Sequence, residues 1–517
     1  MNTDPAVGTP FYITTAISYP NAAPHIGHAY EAITSDAIAR FRKAQGQDVR
    51  FQTGTDEHGL KMAKAARDHD RDVADYAREM TAEFKAMCDG LDIGYDRFIR
   101  TTDADNYAAA TALWKAMADN GDLYLGRYEG WYSLRDEAFY DESELVTAQT
   151  GEKLSPQGTA VEWTAEESWF FRLSNYQQKL LDLYDSRPDF VRPAGRLNEV
   201  RRFVEGGLND LSMSRTSFDW GVPVPGSDGH VMYVWVDALT NYLTGLGYPD
   251  NPDMVARYWP HCVHNIGKDI VRFHAVYWPA FLMSAGIDLP HGIFGHGFIL
   301  HRGEKMSKSS GNVIDPMTLV ERYGSDAVRY FLLREVGFGN DGSASEEAIV
   351  ARCNADLANN LGNLAQRSLS MIAKNCDGAI PAATSPDAAD AALFATINRC
   401  YGEAVEKMAG FAINQALEAI WEAASAANQY FADQAPWALR KTDAARADTV
   451  LYTAAEAVRR LAIMARWAIP RSADALLDQL AVGAGDRDFA ALDRPIESGT
   501  QLPAPNGVFP RLQLVEA

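Results

Sequence analysis

The first ordered pattern along the chain is an apolar run, Phe11 to Ile17, followed by the turn Tyr19-Pro20-Asn21. Beyond it the apolar positions change period. Tyr30, Ile33, Ala37 and Phe41 recur at helical spacing up to Gly46, which predicts a strand, a tight turn and a helix. Asp48 to Asp56 reads as a second short strand ending in turn residues, and Ala77, Met80, Phe84 and Met87 mark a long amphipathic helix after it. Strands alternating with helices predict a parallel sheet with ligands at the strand C-terminal ends. Asp56-Glu57-His58-Gly59 falls at such an end. From about residue 121 to 225 the long period is lost. Trp131, Tyr132, Phe139, Tyr140, Trp163, Trp169 and Phe170 predict short strands around a small aromatic core, inserted between two halves of the sheet. The strand pattern resumes at Val231 to Val236, Cys262 to Ile266 and Phe294 to Leu300.

From about 346 to 470 the chain turns alanine-rich and helical. Leu357, Leu361, Leu364 and Ser368 mark one helix face, Ile413, Leu417, Ile420 and Trp421 a second, and Leu451 to Trp467 a third, with connections at Cys376 to Pro386 and at Pro436. A helical bundle appended to an α/β core is the natural reading. The Pro- and Gly-rich tail from Pro495 to Pro510 is expected to pack as an extended strap, a loose end being the alternative. The predicted division is 1–120 for the first half of the α/β domain, 121–225 for the insertion and 226–300 for the second half, then 301–345 for a loop region and 346–517 for the helical part with its strap.

Composition narrows the partners. The 517 residues, 47% hydrophobic, suffice for two to four domains and at least one large core. A net charge of −21 means that the chain will not coat nucleic acid indiscriminately, so any RNA partner needs a local basic patch. Arg192, Arg196, Arg201 and Arg202 form one candidate cluster; Arg440 and Lys441 form another. Cys88, Cys262, Cys353, Cys376 and Cys400 are odd in number, far apart and make no C-x-x-C, which fits a reducing compartment. Met1 to Gly8 lack a basic leader, and the apolar run Ala275 to Met283 is broken by Pro279. A cytoplasmic protein without a membrane span is expected.

Two short stretches carry the chemistry. Pro24-His25-Ile26-Gly27-His28 sits where the first helix begins. A helix N-terminus offers free backbone N–H groups and partial positive charge, which suits phosphate. His25 and His28, three apart, project from one face of the first turn, and Gly27 lets a flat base or ribose approach the backbone. Lys305-Met306-Ser307-Lys308-Ser309 lies between Gly303 and Gly311, which mark a loop able to move. Lys305 and Lys308 can point at one polyanion. Taken singly, each stretch also reads as an ordinary helix start or a solvated surface turn.

Together, H-I-G-H and K-M-S-K-S resemble the signatures of class I aminoacyl-tRNA synthetases, and the surroundings resemble the methionyl-tRNA synthetase family over nearly the whole chain. The resembling stretches are Thr14 to Asn21, Tyr233 to Ala238, Ile266 to Ile270 through Phe273-His274 to Trp278-Pro279, and Phe431 to Trp437. The resemblance implies a Rossmann-like parallel-sheet catalytic domain, an inserted connective domain and a C-terminal all-α anticodon-binding bundle. It implies ATP with Mg2+, L-methionine and methionine tRNA, initiator and elongator, as substrates. His25, His28, Lys305 and Lys308 would be catalytic, with Gly27, Gly267 and Asp269 also on ATP. Ala16, Ile17, Tyr19, Trp235, Ala238, Tyr242, Phe273, His274 and Trp278 would line the methionine site, Asp56 would hold the α-ammonium, and Arg215 would lie near the reactive phosphate. Asn363, Arg367 and Trp437 would read the anticodon, by base-edge hydrogen bonds and by stacking.

Many members carry a zinc knuckle in the insertion. Here the aligned stretches are Trp131-Tyr132-Ser133-Leu134-Arg135-Asp136 and Leu154-Ser155-Pro156-Gln157-Gly158, with no cysteine between Cys88 and Cys262 and no histidine between His69 and His230. A structural zinc site needs about four such ligands, so a metal-free remnant is expected. Fewer than fifty residues follow the bundle, too few for the C-terminal dimerisation domain of some members, and a monomer is expected. The nearest rival reading is another class I synthetase, but 121–225 is too short for the editing insertion of the leucine, isoleucine and valine enzymes, and the pocket stretches lack the cysteines a cysteine enzyme would want. A nucleotidyltransferase without tRNA is a second rival, separated by tRNA-dependent AMP release. A non-catalytic tRNA-binding protein on the same fold is a third, against which intact His25, His28, Lys305 and Lys308 argue.

Overall fold

The computed structural model describes residues 7–514 apart from 134, 136, 137, 149, 302 and 305–312, and leaves the side chains of 128, 138, 139 and 166 undescribed. The first unit is β1 (Pro10–Thr15), α1 (Ile26–Ala44) and β2 (Asp48–Thr55). β1 is aromatic and β-branched, as a buried strand requires. Its residues alternate between two cores: Phe11 and Ile13 face one, Tyr12 the other. α1 buries Tyr30, Ile33, Ala37 and Phe41, carries Arg42 and Lys43 in its last turn, and stops at the left-handed Gly46. Then follow α2 (Leu60–Asp68), α3 (Val73–Gly90), β3 (Arg97–Arg100) and α4 (Ala104–Asp119).

Next come β4 (Leu123–Ser133), β5 (Ala138–Tyr140), the short ladder β6 (Val146–Thr147) with β7 (Lys153–Leu154), β8 (Glu162–Phe171), α5 (Gln177–Ser186), β9 (Val191–Arg192), α6 (Ala194–Glu205) and β10 (Leu211–Ser212). β10, β8, β4 and β5 form an antiparallel sheet in that order. β11 (Ser214–Arg215) pairs antiparallel with β12 (Val231–Met232), and α7 (Val234–Thr244) and α8 (Pro252–Tyr258) follow. The strand expected over Val231 to Val236 is therefore corrected. It is two residues of strand outside the main sheet, followed by a helix every residue of which is buried. Its polar residues Asp237, Thr240, Asn241 and Thr244 are buried too, and the valines at its start imitate a buried strand.

β13 (Cys262–Gly267), α9 (Trp278–Ala285) and β14 (Gly292–His296) complete the main sheet. Its order is β3-β2-β1-β13-β14-β9, parallel throughout. The chain reverses direction across the sheet between β1 and β13, the place where doubly wound folds open a crevice. The edge strand β9 comes from the stretch read as insertion, so that stretch also closes the main sheet. The single strand expected over Phe294 to Leu300 is two: β14, and β15 (Ile299–His301), which pairs with β16 (Gly342–Ala344). Gly297 marks the break, where a Cβ would meet the Asn340 carbonyl oxygen at 2.1 Å.

The rest is helical: α10 (Pro316–Tyr323), α11 (Ser325–Glu335), α12 (Glu346–Cys353), α13 (Asn363–Asn375), α14 (Ala388–Ala409), α15 (Ile413–Gln434), α16 (Pro436–Thr442), α17 (Ala444–Ala465) and α18 (Pro470–Gln479). A π-helical segment, Asn354–Gly362, joins α12 to α13. One continuous apolar core runs from the α1 side of the sheet into this bundle. Arg329 of α11, fully buried, fastens the junction. It pairs with Asp36 of α1 at 2.7 Å and donates to the carbonyls of Leu91, Trp467 and Ala468. Five donors in a fixed fork make arginine the residue for such a joint. The tail runs back as an extended strap, with Gly499 and Leu502 donating to Ile380 and Gly378 and Leu512 exchanging two hydrogen bonds with Asn354.

Candidate active site

The start of α1 is capped by its own histidines. His25 is the N-cap and its Nδ1 accepts the Gly27 N–H at 3.1 Å; His28 Nδ1 accepts the His25 N–H at 3.1 Å. The rings stack with centroids 3.8 Å apart. A nitrogen that accepts carries no proton, so each ring bears its proton on Nε2. Gly27 is required here because a Cβ would meet the His25 ring at 2.9 Å. The expectation of free backbone N–H groups is corrected: Ile26 N–H donates to the Ile314 carbonyl, and those of His28 and Ala29 to the His25 carbonyl. The turn therefore offers imidazole N–H donors and the helix dipole in place of a bare amide cradle. The Ile314 bond also ties this helix start to the chain just beyond residues 305–312.

At the crevice between β1 and β13 lies a cavity of about 450 Å³. Of the residues named from the sequence, it is lined by Ala16, Ile17, Tyr19, His25, Gly27, His28, Asp56, Trp235, Ala238, Tyr242, Gly267, Asp269, Phe273 and His274. They arrive from the end of β1, the start of α1, the end of β2, the start of α7 and the end of β13 with the turn after it. Trp235 and Phe273 stack at 3.7 Å and 6°. His274 is 1% exposed. Its Nδ1–H donates to the Ile270 carbonyl at 3.0 Å, so its Nε2 accepts the Tyr242 hydroxyl at 2.6 Å. Burial lowers its pKa to about 4. Both polar groups are thus spent on each other, and the floor is uncharged: a surface for an apolar, polarisable side chain. Asp56, buried at 3% exposure, supplies a carboxylate at the same cavity.

The sequence reading missed Glu31 and His296, which also line the cavity. His296 Nδ1–H donates to the Gly297 carbonyl and Nε2–H to Glu31 Oε2, each at 2.8 Å. Burial pulls the His296 pKa down, but the Glu31 carboxylate outweighs it and holds the pKa above its ordinary value. Glu31 lies one turn beyond His28 on the same helix face, a spacing that could have found it. His296 closes β14, and only the sheet order brings it to this crevice.

The helical end holds a second constellation. The Arg367 guanidinium lies 5.2 Å from the Trp437 ring and 5.1 Å from the Phe431 ring. Trp437, at the start of α16, is 44% exposed, and Asn363, one turn before Arg367, is exposed.

The sequence matches the family described as tRNA synthetases class I (M) over residues 11–369, and the anticodon binding domain of methionyl tRNA ligase over residues 380–515. The chain belongs to the class I tRNA synthetases of the methionine type. It is 58% identical to the methionine–tRNA ligase of Brucella suis, over 97% of this chain and 98% of that protein. It is 56% identical to that of Mycobacterium tuberculosis strain H37Rv, over 98% of each. The Mycobacterium tuberculosis methionyl-tRNA synthetase solved in complex with methionyl-adenylate superposes with a TM-score of 0.95 at 56% identity, over 97% of this chain and 100% of that one. Its free-state structure gives 0.88 at 53% identity, over 98% and 99%.

Two residues read from the family resemblance stand off the cavity. Trp278 is fully buried behind the cavity, its ring 6.4 Å from Tyr242 and 5.9 Å from Trp259, and does not line it. Arg215 is also buried off the cavity, bonded to Ser212 Oγ and the Ser214 carbonyl and lying 4.6 Å from the Tyr233 ring. Lys305 and Lys308 lie outside the described residues. Three arginines of the two candidate basic clusters carry carboxylate partners: Arg196 pairs with Glu199, Arg201 with Asp185 and Glu205, and Arg440 with Asp448. They form surface ion pairs.

Proposed function

We propose that the protein joins L-methionine to methionine tRNA, initiator and elongator, in two steps that together consume one ATP. The methionine carboxylate attacks the α-phosphorus of ATP, a bond to the bridging oxygen breaks, and pyrophosphate leaves from methionyl-adenylate. A ribose hydroxyl at the tRNA 3′ end then takes the methionyl group and AMP departs. The observation that carries this reading is the shared cavity: an imidazole pair at a helix N-terminus on one side, an uncharged aromatic floor on the other, and one buried carboxylate between the strand ends.

The carboxylate nucleophile is already ionised and pyrophosphate departs without strong acid, so positioning and charge stabilisation carry the chemistry. In this arrangement Asp56 holds the α-ammonium, and Trp235, Phe273, Ala238, Tyr242 and His274 hold the thioether chain. The His25 and His28 Nε2–H groups donate to the phosphates. Gly267 and Asp269, at and just beyond the end of β13, take the adenosine ribose, and Lys305 and Lys308 supply the remaining positive charge. Mg2+ accompanies ATP, carried mainly by the phosphates; Glu31, the carboxylate nearest the imidazoles along α1, is engaged by His296. Asn363, Arg367 and Trp437 read the anticodon, an exposed indole braced by a guanidinium being a stacking platform for an unpaired base.

The reading also includes no structural zinc. Ser133, Thr159 and Ser155, at the two turns aligned with the knuckle, are joined through hydroxyl bonds of 2.6 and 2.7 Å, a donor set unsuited to zinc. No helix among the described residues is long and apolar enough to cross a membrane, in keeping with action in the cytoplasm. A monomer completes the proposal; light scattering at micromolar concentration giving twice the chain mass overturns it. The deciding experiment is a panel of amino acids in ATP–pyrophosphate exchange, followed by tRNA-dependent AMP release. Exchange supported equally by leucine or isoleucine, or no AMP release with methionine tRNA, would sink the assignment.

A further inference from the structure

We propose that His58 and Asp237 are positioning residues for the amino-acid substrate. Their buried bond fixes the end of β2, which carries Asp56, against the start of α7, which carries Trp235 and Ala238. His58 Nδ1 and Asp237 Oδ2 are 2.5 Å apart, with side chains 1% and 2% exposed. His58 Nε2 meets the Tyr107 hydroxyl at 2.8 Å, and the ring packs edge-on against Tyr107 and Trp220. Asp237 Oδ1 accepts the Ala238 N–H at 2.9 Å, so the same carboxylate holds the first turn of α7. Asn106 donates to the Asp237 carbonyl at 3.5 Å and accepts from Thr244.

Tyr107, His58 and Asp237 have the order of a proton relay, yet none of the three lines the cavity. Their role is geometric. A bound amino acid must reach Asp56 with its ammonium and the Trp235–Phe273 wall with its side chain at once. Those two elements come from chain positions almost 180 residues apart. Farther from Asp56 they are joined by Gln52 to Asn241 at 2.6 and 3.0 Å and by Arg50 to the Gly245 carbonyl at 2.9 Å, and the charge-assisted His58–Asp237 bond ties them at the end that carries Asp56 and Trp235. The strand end has its own anchor. Glu57 is held by both Arg100 nitrogens at 2.7 and 2.8 Å, by Thr102 and by Thr81. Removing His58 therefore loosens the two walls where Asp56 and Trp235 face each other, while the Glu57 anchor and the Gln52–Asn241 bonds leave β2 in place.

The inference rests on the proposed methionine site, and pyrophosphate exchange with the full chain tests it. Asp237→Ala and His58→Ala should each raise the KM for methionine about tenfold or more, while kcat and the KM for ATP stay within about threefold. Asp237→Asn keeps an acceptor oxygen and should restore part of the loss. Should Asp237→Ala fail to fold, His58→Gln is the milder variant and reads the same split. Equal rises in both KM values, or an unchanged methionine KM in a variant with a native melting curve, would overturn the inference. Asp56→Ala is the control. If it leaves the methionine KM unchanged, the placement of the amino acid itself fails. If it raises that KM while the His58 and Asp237 variants do not, only the positioning role fails.

Discussion

Lowering the pH should destabilise the protein through His274. In the folded chain the ring is neutral, donating from Nδ1 to Ile270 and accepting at Nε2 from Tyr242. A second proton at Nε2 would break the Tyr242 bond and put an uncompensated charge in a sealed site. Burial accordingly lowers the pKa to about 4, against about 6.5 in an unfolded chain. Between those two values the unfolded state binds the proton and the folded state does not. The contribution is therefore fully present above about pH 6.5 and is lost as the pH falls toward 4. The gap of about 2.5 units at about 1.36 kcal/mol each gives roughly 3 kcal/mol, of which about 2 has gone by pH 5. His264, its ring 5.9 Å away and its pKa also lowered well below the ordinary value by burial, adds a term of the same sign. Comparison with His274→Gln cancels the part of the His264 term that comes from burial, which both proteins keep. Urea unfolding of the two proteins between pH 7.5 and 4.5 is the assay, with the wild-type advantage narrowing by about 2 kcal/mol from pH 7 to pH 5. The imidazole Cε1 proton resonance of His274 should stay in place down to pH 5. Parallel stability curves, or a resonance that titrates near 6.5, would refute the reasoning.

Replacing Lys308 by Ala should slow methionine activation about a hundredfold or more with little change in methionine affinity, in line with the loss of one transition-state charge contact; near-normal activation removes the loop from the mechanism. Trp437→Ala should leave pyrophosphate exchange nearly intact and cut charging efficiency by roughly ten- to a hundredfold, since a stacked base contributes about 1–3 kcal/mol. If wild type and variant lose the same factor on a tRNA with an altered anticodon, Trp437 does not read it. Elemental analysis should find no zinc, and about one zinc per chain surviving dialysis against chelator would contradict the Ser133–Thr159–Ser155 account.

Local pattern alone determined a good deal of this molecule. The first strand and the strand from Asp48 were legible as short β-type runs closed by turn residues, and the helix from Ile26 to Ala44 because its apolar positions recur at helical spacing. The H-I-G-H stretch was legible because its residue types and spacing are specific, and with the family resemblance it drew attention to residues that line one cavity, while Lys305 to Ser309 lie outside the described residues. The reading failed where burial is complete or contacts are long-range. Val234–Thr244 is buried on every side, its polar face included, and its opening Val234-Trp235-Val236 reads as strand. Trp278 and Arg215 are aromatic and cationic like true lining residues, but which wall they stand behind depends on neighbours such as Trp259 and Tyr233. Only the tertiary structure decided that β9 closes the main sheet and that His25 and His28 spend Nδ1 on the backbone and present Nε2. It alone placed the His296 ring on Glu31 and bound His58 to Asp237. A sequence specifies the period of each element and the chemistry of each side chain. Hydrogen-bond partners, tautomers and distances between segments far apart in the chain exist only once packing has brought those segments together.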